Sequence, residues 1–240
     1  MGDEGDIKRA GRLMRPVVAG TFASFNGFLF KPHLAAAAVM VVAGCALLAP
    51  KQDQTRFIVL SAATTAGSNG SALPGAEKFA ATAIGLGPIQ LPKYLDRPEL
   101  VIRTSPNGLD LSSTDSWAEP LIDNFRHVLA NDLGNLLGTN NIMQFPWYPG
   151  TRLDFVVQIQ VQRFEADTSH QAELIASWEL RTGQSNQVLA TREAHLTQPS
   201  TSLAGDAVAG ALSKDVGELA GQIASAIVQA DQQRIAGSRR

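Results

Sequence analysis

The chain has 240 residues, 45% of them apolar and 18% charged, with a net charge of −2. That length and composition exclude a disordered chain and allow one good hydrophobic core, or at most two small ones. Cys45 is the only cysteine, which excludes an intramolecular disulfide and a cysteine-based structural zinc site, and no basic run offers the footprint that nucleic acid requires.

Residues 1–44 read as a leader. The cationic Lys31-Pro32-His33 precedes ten uncharged apolar residues, Leu34 to Ala43, and then Gly44-Cys45. A cationic segment, an apolar run and small residues at a cleavage point form the signal-peptide arrangement. Val42-Ala43-Gly44-Cys45 resembles the bacterial lipobox, in which the cysteine thiol takes a diacylglyceryl group before the leader is cut off. An uncleaved membrane span over Leu34–Ala49 is the alternative, but its 16 residues fall short of the ~20 needed, and Pro32 and Pro50 prevent its extension. Thirty residues before Lys31 is long for a signal n-region, and Met14-Arg15 offers a second start. Without the leader the chain keeps 15 basic and 19 acidic residues, a charge of −4. Residues 45–56 then form the lipidated cysteine and a polar tether, and 57–240 one folded domain.

Arg56–Leu60 is a short strand, and Ser61–Gly75 a loop rich in small residues. Thr82–Leu91 predicts a strand that Pro88 must interrupt or push to an edge. Pro92–Pro98 turns the chain into a strand at Leu100–Arg103. Asn107-Gly108 is a tight turn, with Leu109–Ser112 the returning strand. Ser116 and Glu119 have capping-box spacing, which predicts a helix carrying Trp117, Leu121, Phe125, Val128, Leu129, Leu133, Leu136 and Leu137 on its apolar stripe. Alternation from Leu153 to Val161 and from Ala172 to Arg181 predicts two strands, with a bulge near Arg163 where Phe164 breaks the parity; Val188–Thr197 is a third strand, and the short links make the three an antiparallel meander. A long helix, Leu203–Arg234, ends the pattern. Val208, Leu212, Val216, Leu219, Ile223 and Ile227 form its main face, and Gly217, Ala220, Gly221 and Ala224 a smooth face suited to close packing. The fold class is α/β (α+β): a single layered domain with a mixed, largely antiparallel sheet and two main helices.

Enzyme chemistry finds no foothold in these residues. Gly85-Leu-Gly87 begins like a dinucleotide loop, but Gln90 stands where the third glycine belongs. His127, His170 and His195 lack metal-ligand spacing. Asp96, Asp110, Asp115 and Glu119 lie close in sequence, but turn and cap roles account for Asp96 and Glu119. The expectation is no catalytic residue, no metal site and no cofactor.

Leu-Pro-Lys-Tyr-Leu-Asp-Arg-Pro at 91–98, Val101 to Arg103, Asn107 to Leu109 and Trp-Ala-Glu-Pro-Leu at 117–121 together resemble the ABC-type transport auxiliary lipoproteins, the PqiC/YmbA-like family. Ser116 replaces the usual basic residue before the tryptophan, and Phe57-Ile58 stands where the family often has two tyrosines. The resemblance implies a periplasmic lipoprotein, lipidated at Cys45, that works with an MCE-domain protein and an ABC permease moving phospholipid or another hydrophobic solute. It also implies a homo-oligomer without a cofactor. Ala46 after the cysteine resembles the outer-membrane sorting signal. Tyr94, Arg97 and Arg103 are the candidate partner-binding residues, since tyrosine and arginine are enriched at interface hot spots. Tyr94 and Leu95 serve equally well as a plug at the sheet edge, with Asp96 and Arg97 ordering the turn. A ligand carrier with an apolar pocket under Ser61–Gly75 and a purely structural envelope lipoprotein are the competing functions.

Overall fold

The computed structural model describes residues 54–62 and 72–238. In chain order the elements are β1 (Arg56–Ile58), β2 (Ile84–Gln90), β3 (Glu99–Ser105), β4 (Gly108–Trp117), α1 (Leu121–Leu137), β5 (Ile142–Gln144), β6 (Phe155–Asp167), β7 (Gln171–Thr182), β8 (Val188–Pro199) and α2 (Gly205–Ser238). Short 3-10 turns at Ala76–Phe79 and Lys93–Leu95 flank β2. The fold class is the expected one, a mixed eight-stranded sheet with two main helices.

β6, β7 and β8 form the antiparallel meander that their alternation dictates, with Ile159 opposite Trp178 and Leu174 opposite Leu196. The β6 register slips between Val161 and Arg163, so Phe164 and Ala166 return to the buried face that Phe155, Val157, Ile159 and Val161 occupy. The opposite edge of β6 carries two strands in succession. β2 runs parallel to its first half, with Ile84 beside Phe155 and Gln90 beside Gln160. β3 runs parallel to its last residues, with Ile102 beside Ala166. Between these two strands, residues 91–98 leave the edge in a kink. β5 extends the sheet beyond β2, and β4 and β1 extend it beyond β3. The long ladders are antiparallel and the parallel ones short.

α1 and α2 join the buried face of the sheet in one core, where Phe125 of α1 meets Phe164 of β6 edge-on at 5.2 Å. The six residues of the main α2 stripe are completely buried. The smooth face behaves differently. Ala220 and Ala224 are buried, but a Cβ added at Gly221 would meet nothing within 4 Å, so close packing does not explain that glycine.

α1 starts later than its capping-box spacing predicts. Ser116 and Trp117 belong to β4, and Pro120, with an extended backbone and no side-chain cap, precedes the first helical residue. A residue before proline is forced out of the helical region, so Glu119 cannot begin the helix. Glu119 instead accepts a hydrogen bond from Asn124 Nδ2 at 2.6 Å, and Asn124 Oδ1 accepts one from the Leu60 backbone amide at 2.6 Å, which ties the chain just after β1 to α1. Trp117 is a core residue as its aromatic bulk suggests, but it fills the core from a strand. Pro88 sits where the β2 register slips, just past the end of β5. Gly87 is required there: its φ is +121°, and a Cβ would lie 2.7 Å from Phe145 Cβ.

Candidate functional site

The kink at 91–98 is held from beneath by one carboxylate. Leu95 drops into the core, and Tyr94, in the 3-10 turn, reaches across to β6, where its hydroxyl donates to Glu165 Oε2 at 2.8 Å. Arg103, further along β3, donates from Nε to Glu165 Oε1 at 2.7 Å, and its Nη2 lies 2.7 Å from the same oxygen. The Phe164 amide donates to Oε2 at 2.9 Å. Glu165 is 2% exposed, so these donors replace the water it loses. Burial first, and the Glu165 carboxylate second, push the Tyr94 hydroxyl up to about 12, against a smaller opposing pull from Arg103.

The network continues over the open face of the sheet. Arg163 lies 3.6 Å from Glu165 and hydrogen-bonds Glu173 of β7, which raises the guanidinium further. Glu173 also meets His195 Nε2 of β8 at 2.7 Å. Burial pulls the Glu173 carboxyl up, but the hydrogen bonds from Arg163 and His195 outweigh it and hold the group below its usual range. The Tyr94 hydroxyl and the Arg103 and Arg163 guanidiniums all donate to carboxylates, and Arg103 Nη1 also donates to the Pro106 carbonyl at 3.2 Å. The arrangement clasps backbone segments together and leaves no free base beside a nucleophile.

The two motif segments meet at the end of the kink. The Trp117 amide donates to the Pro98 carbonyl at 2.6 Å, and Glu99 pairs with Ser116. Asp96, Arg97 and Pro98 from one segment and Trp117, Glu119 and Pro120 from the other line a surface depression of about 330 Å³. Of the three candidate partner-binding residues, Tyr94 and Arg103 are therefore brought together on Glu165. Arg97 is not: it is exposed at the depression, and neither Asp96 nor Glu99 pairs with it. Cys45 lies outside the described residues, as do residues 63–71 of the loop and whatever space lies beneath them.

Of the acidic residues close in sequence, Asp96 and Glu119 share the depression, and Asp115 is engaged elsewhere. Asp115 is buried against Arg56 at 2.7 Å and accepts from Ser112 and Thr114, whereas Glu119 serves Asn124. His127 is exposed 3.7 Å from Glu119, and His170 takes a left-handed backbone in the β6–β7 turn. No group of three metal-ligating side chains occurs among the described residues, and no helix there is long and apolar enough to cross a membrane. Glu165 is the residue that sequence reasoning missed. The available signal was an acid between Phe164 and Ala166 just after the parity break, a place where an unpaired charge would be costly.

A family model described as ABC-type transport auxiliary lipoprotein component matches residues 62–224. A solved structure of a protein from Xanthomonas campestris is 19% identical, with a TM-score of 0.55 over 64% of this chain and 88% of its own. A second, described as an uncharacterized protein, is 19% identical, with a TM-score of 0.54 over 61% and 92%. The PelC dodecamer from Paraburkholderia phytofirmans is more distant, at 13% identity and a TM-score of 0.36 over 66% and 94%. No curated protein matches.

Proposed function

Because the chain belongs to the ABC-type transport auxiliary lipoprotein components, we propose that it is tethered to the periplasmic side of the envelope through lipidated Cys45 and docks there on a transport assembly. The family is one of transport accessories and not of enzymes. The assembly is an MCE-domain protein with its ABC permease, the cargo is phospholipid or another hydrophobic solute, and the working form is a homo-oligomer. Ala46 favours the outer membrane.

One observation carries the docking role: segments 91–98 and 117–121 are folded into one surface, and the most polar part of that region is consumed in holding its shape. A surface fixed from beneath keeps its outward side chains in place for a partner, which lowers the cost of ordering them on binding. Arg97 is the contact residue, with Tyr94 and Arg103 positioning it.

Two variants test the reading. Cys45→Ser abolishes labelling by a fatty-acid analogue and leaves the leader attached; a variant still cleaved after Gly44 removes the lipid tether. Arg97→Ala melts like the parent but recovers less of the MCE-domain protein or of its own copies in a pull-down. Unchanged recovery removes the docking surface from this segment.

A further inference from the structure

The first described stretch of the chain forms a strap along one margin of the domain. From Phe57 to Leu60 burial alternates: Ile58 and Leu60 are buried, whereas Phe57 is 72% and Val59 54% exposed. An extended chain sends successive side chains to opposite sides, so one face of the strap enters the core and the other is apolar and bare. The strap is fastened to the sheet and to both helices. β1 lies parallel to β4, with Phe57 beside Ser116 and Ile58 beside Trp117. The Leu60 backbone amide donates to Asn124 Oδ1 of α1 at 2.6 Å, and the Ser61 amide to Ser213 Oγ of α2 at 3.0 Å.

The backbone of the strap has an inner and an outer side. The Ala118 amide donates to the Ile58 carbonyl at 2.9 Å, so Ile58 turns its backbone groups toward β4. These groups alternate in direction along a strand, and those of Phe57 and Val59 therefore point away from β4. Among the described residues no strand lies on that side, where β1 ends the sheet. Arg56 does not shield the margin, because its guanidinium is drawn to Asp115 at 2.7 Å. Sheet margins are ordinarily blunted by charge, proline or a covering element, and here the outward residues are phenylalanine and valine. A lipid surface would cover these side chains but leave the backbone groups unsatisfied; an added strand serves both.

Symmetry selects which strand. In an antiparallel pair, directly opposite residues with facing backbone groups exchange both hydrogen bonds. A two-fold axis at Ile58 sets Phe57 opposite Val59 of a second copy, and symmetry repeats the pair. The residues with outward backbone groups then bond one another. Their side chains share one face as an aromatic and β-branched pair, a favourable cross-strand match. The neighbouring registers lose this. An axis at Val59 sets Phe57 against Ser61, whose amide Ser213 already holds, and an axis at Phe57 sets Val59 against Thr55, outside the strand.

We propose that β1 is a self-recognition edge, which pairs antiparallel with β1 of a second copy of this chain about an axis at Ile58. The inference rests on the homo-oligomer reading above and supplies its interface.

The test uses the chain from residue 45 to Arg240 carrying Cys45→Ser, which keeps every described residue and takes no acyl chain. Sedimentation velocity over a concentration series is combined with amide hydrogen exchange at Phe57 and Val59. The parent is expected to self-associate, and both amides to exchange more slowly as concentration rises. Phe57→Lys/Val59→Lys sets lysine opposite lysine and weakens association about tenfold; both positions are exposed, so the melting temperature is unchanged. Phe57→Lys/Val59→Glu sets opposite charges face to face in this register and recovers association. A parent that stays monomeric removes the homo-oligomer reading and this proposal with it. A double-lysine variant that associates like the parent overturns the proposal alone, and the oligomer then has its interface elsewhere. If the lysine–glutamate variant is as weak as the double-lysine one, β1 does not face its own copy and the proposal also falls. A double-lysine variant that self-associates normally but recovers less of the MCE-domain protein overturns it as well, and gives this edge to that protein.

Discussion

Glu165 and Asp215 are both buried carboxyl groups, and they are housed in opposite ways. Glu165 receives the Tyr94 hydroxyl, the Phe164 amide and two nitrogens of Arg103, and it can carry its charge because those donors replace water. Asp215, on α2, is fully buried, and neither of its oxygens finds a donor among the described residues. Burial, with smaller contributions from Glu218 and Glu173, pushes its carboxyl up to about 8. One site is built to hold a charge and the other to discourage it. Burial alone therefore says little about ionisation; the donors that converge on the group decide it.

The contrast is broken most severely at Glu165. Glu165→Ala leaves Arg103 without its partner and frees the kink, and is expected to cost about 3 kcal/mol of stability in a denaturant titration. A loss below about 1 kcal/mol, the worth of one ordinary hydrogen bond, would mean that the clasp does not hold the kink.

The effect at Asp215 has the opposite sign and depends on pH. A folded-state value of about 8 lies above the unfolded value of ~3.9. This group's contribution to stability is therefore fully present below pH ~4 and is lost progressively as pH rises to about 8. Asp215→Asn removes that dependence, so the variant is expected to be the more stable of the two proteins at pH 8. The difference closes toward pH 4. Parallel stability profiles for the two proteins would show that Asp215 is solvated after all.

Tyr94→Phe makes the smallest change. It deletes one donor and leaves Arg103 and the Phe164 amide in place, for an expected loss of about 1 kcal/mol. The parent's absorbance titration should show one tyrosine ionising only near pH 12, and the variant should lack that step.

Much of this molecule was legible wherever neighbours in sequence are neighbours in space. The meander, the bulge beside Arg163 and the buried stripe of α2 all follow from periodicity within one segment, and each has the predicted form. The start of α1 was misread because Pro120 overrules a capping pattern that is locally correct, which moved Trp117 from helix to strand. The clasp was illegible for another reason. Glu165 is 71 residues from Tyr94 and 62 from Arg103, and no local pattern records which strand edge a distant segment will share. Of the motif residues, Tyr94 and Arg103 meet on Glu165, and Arg97 is exposed at the surface depression. Gly221 shows the limit of arguing from residue type, since its missing side chain makes room for nothing.

β8 also bears on solubility. It forms one margin of the sheet, with β7 on one side and no strand on the other among the described residues, over twelve residues of extended backbone. Such a margin is a template on which a stray chain can add and seed a growing aggregate. Arg192, Glu193 and His195 stand exposed in the middle of that run and Pro199 closes it. An added chain would have to desolvate three polar side chains within four positions, so the longest open edge of the domain is also guarded against unwanted pairing.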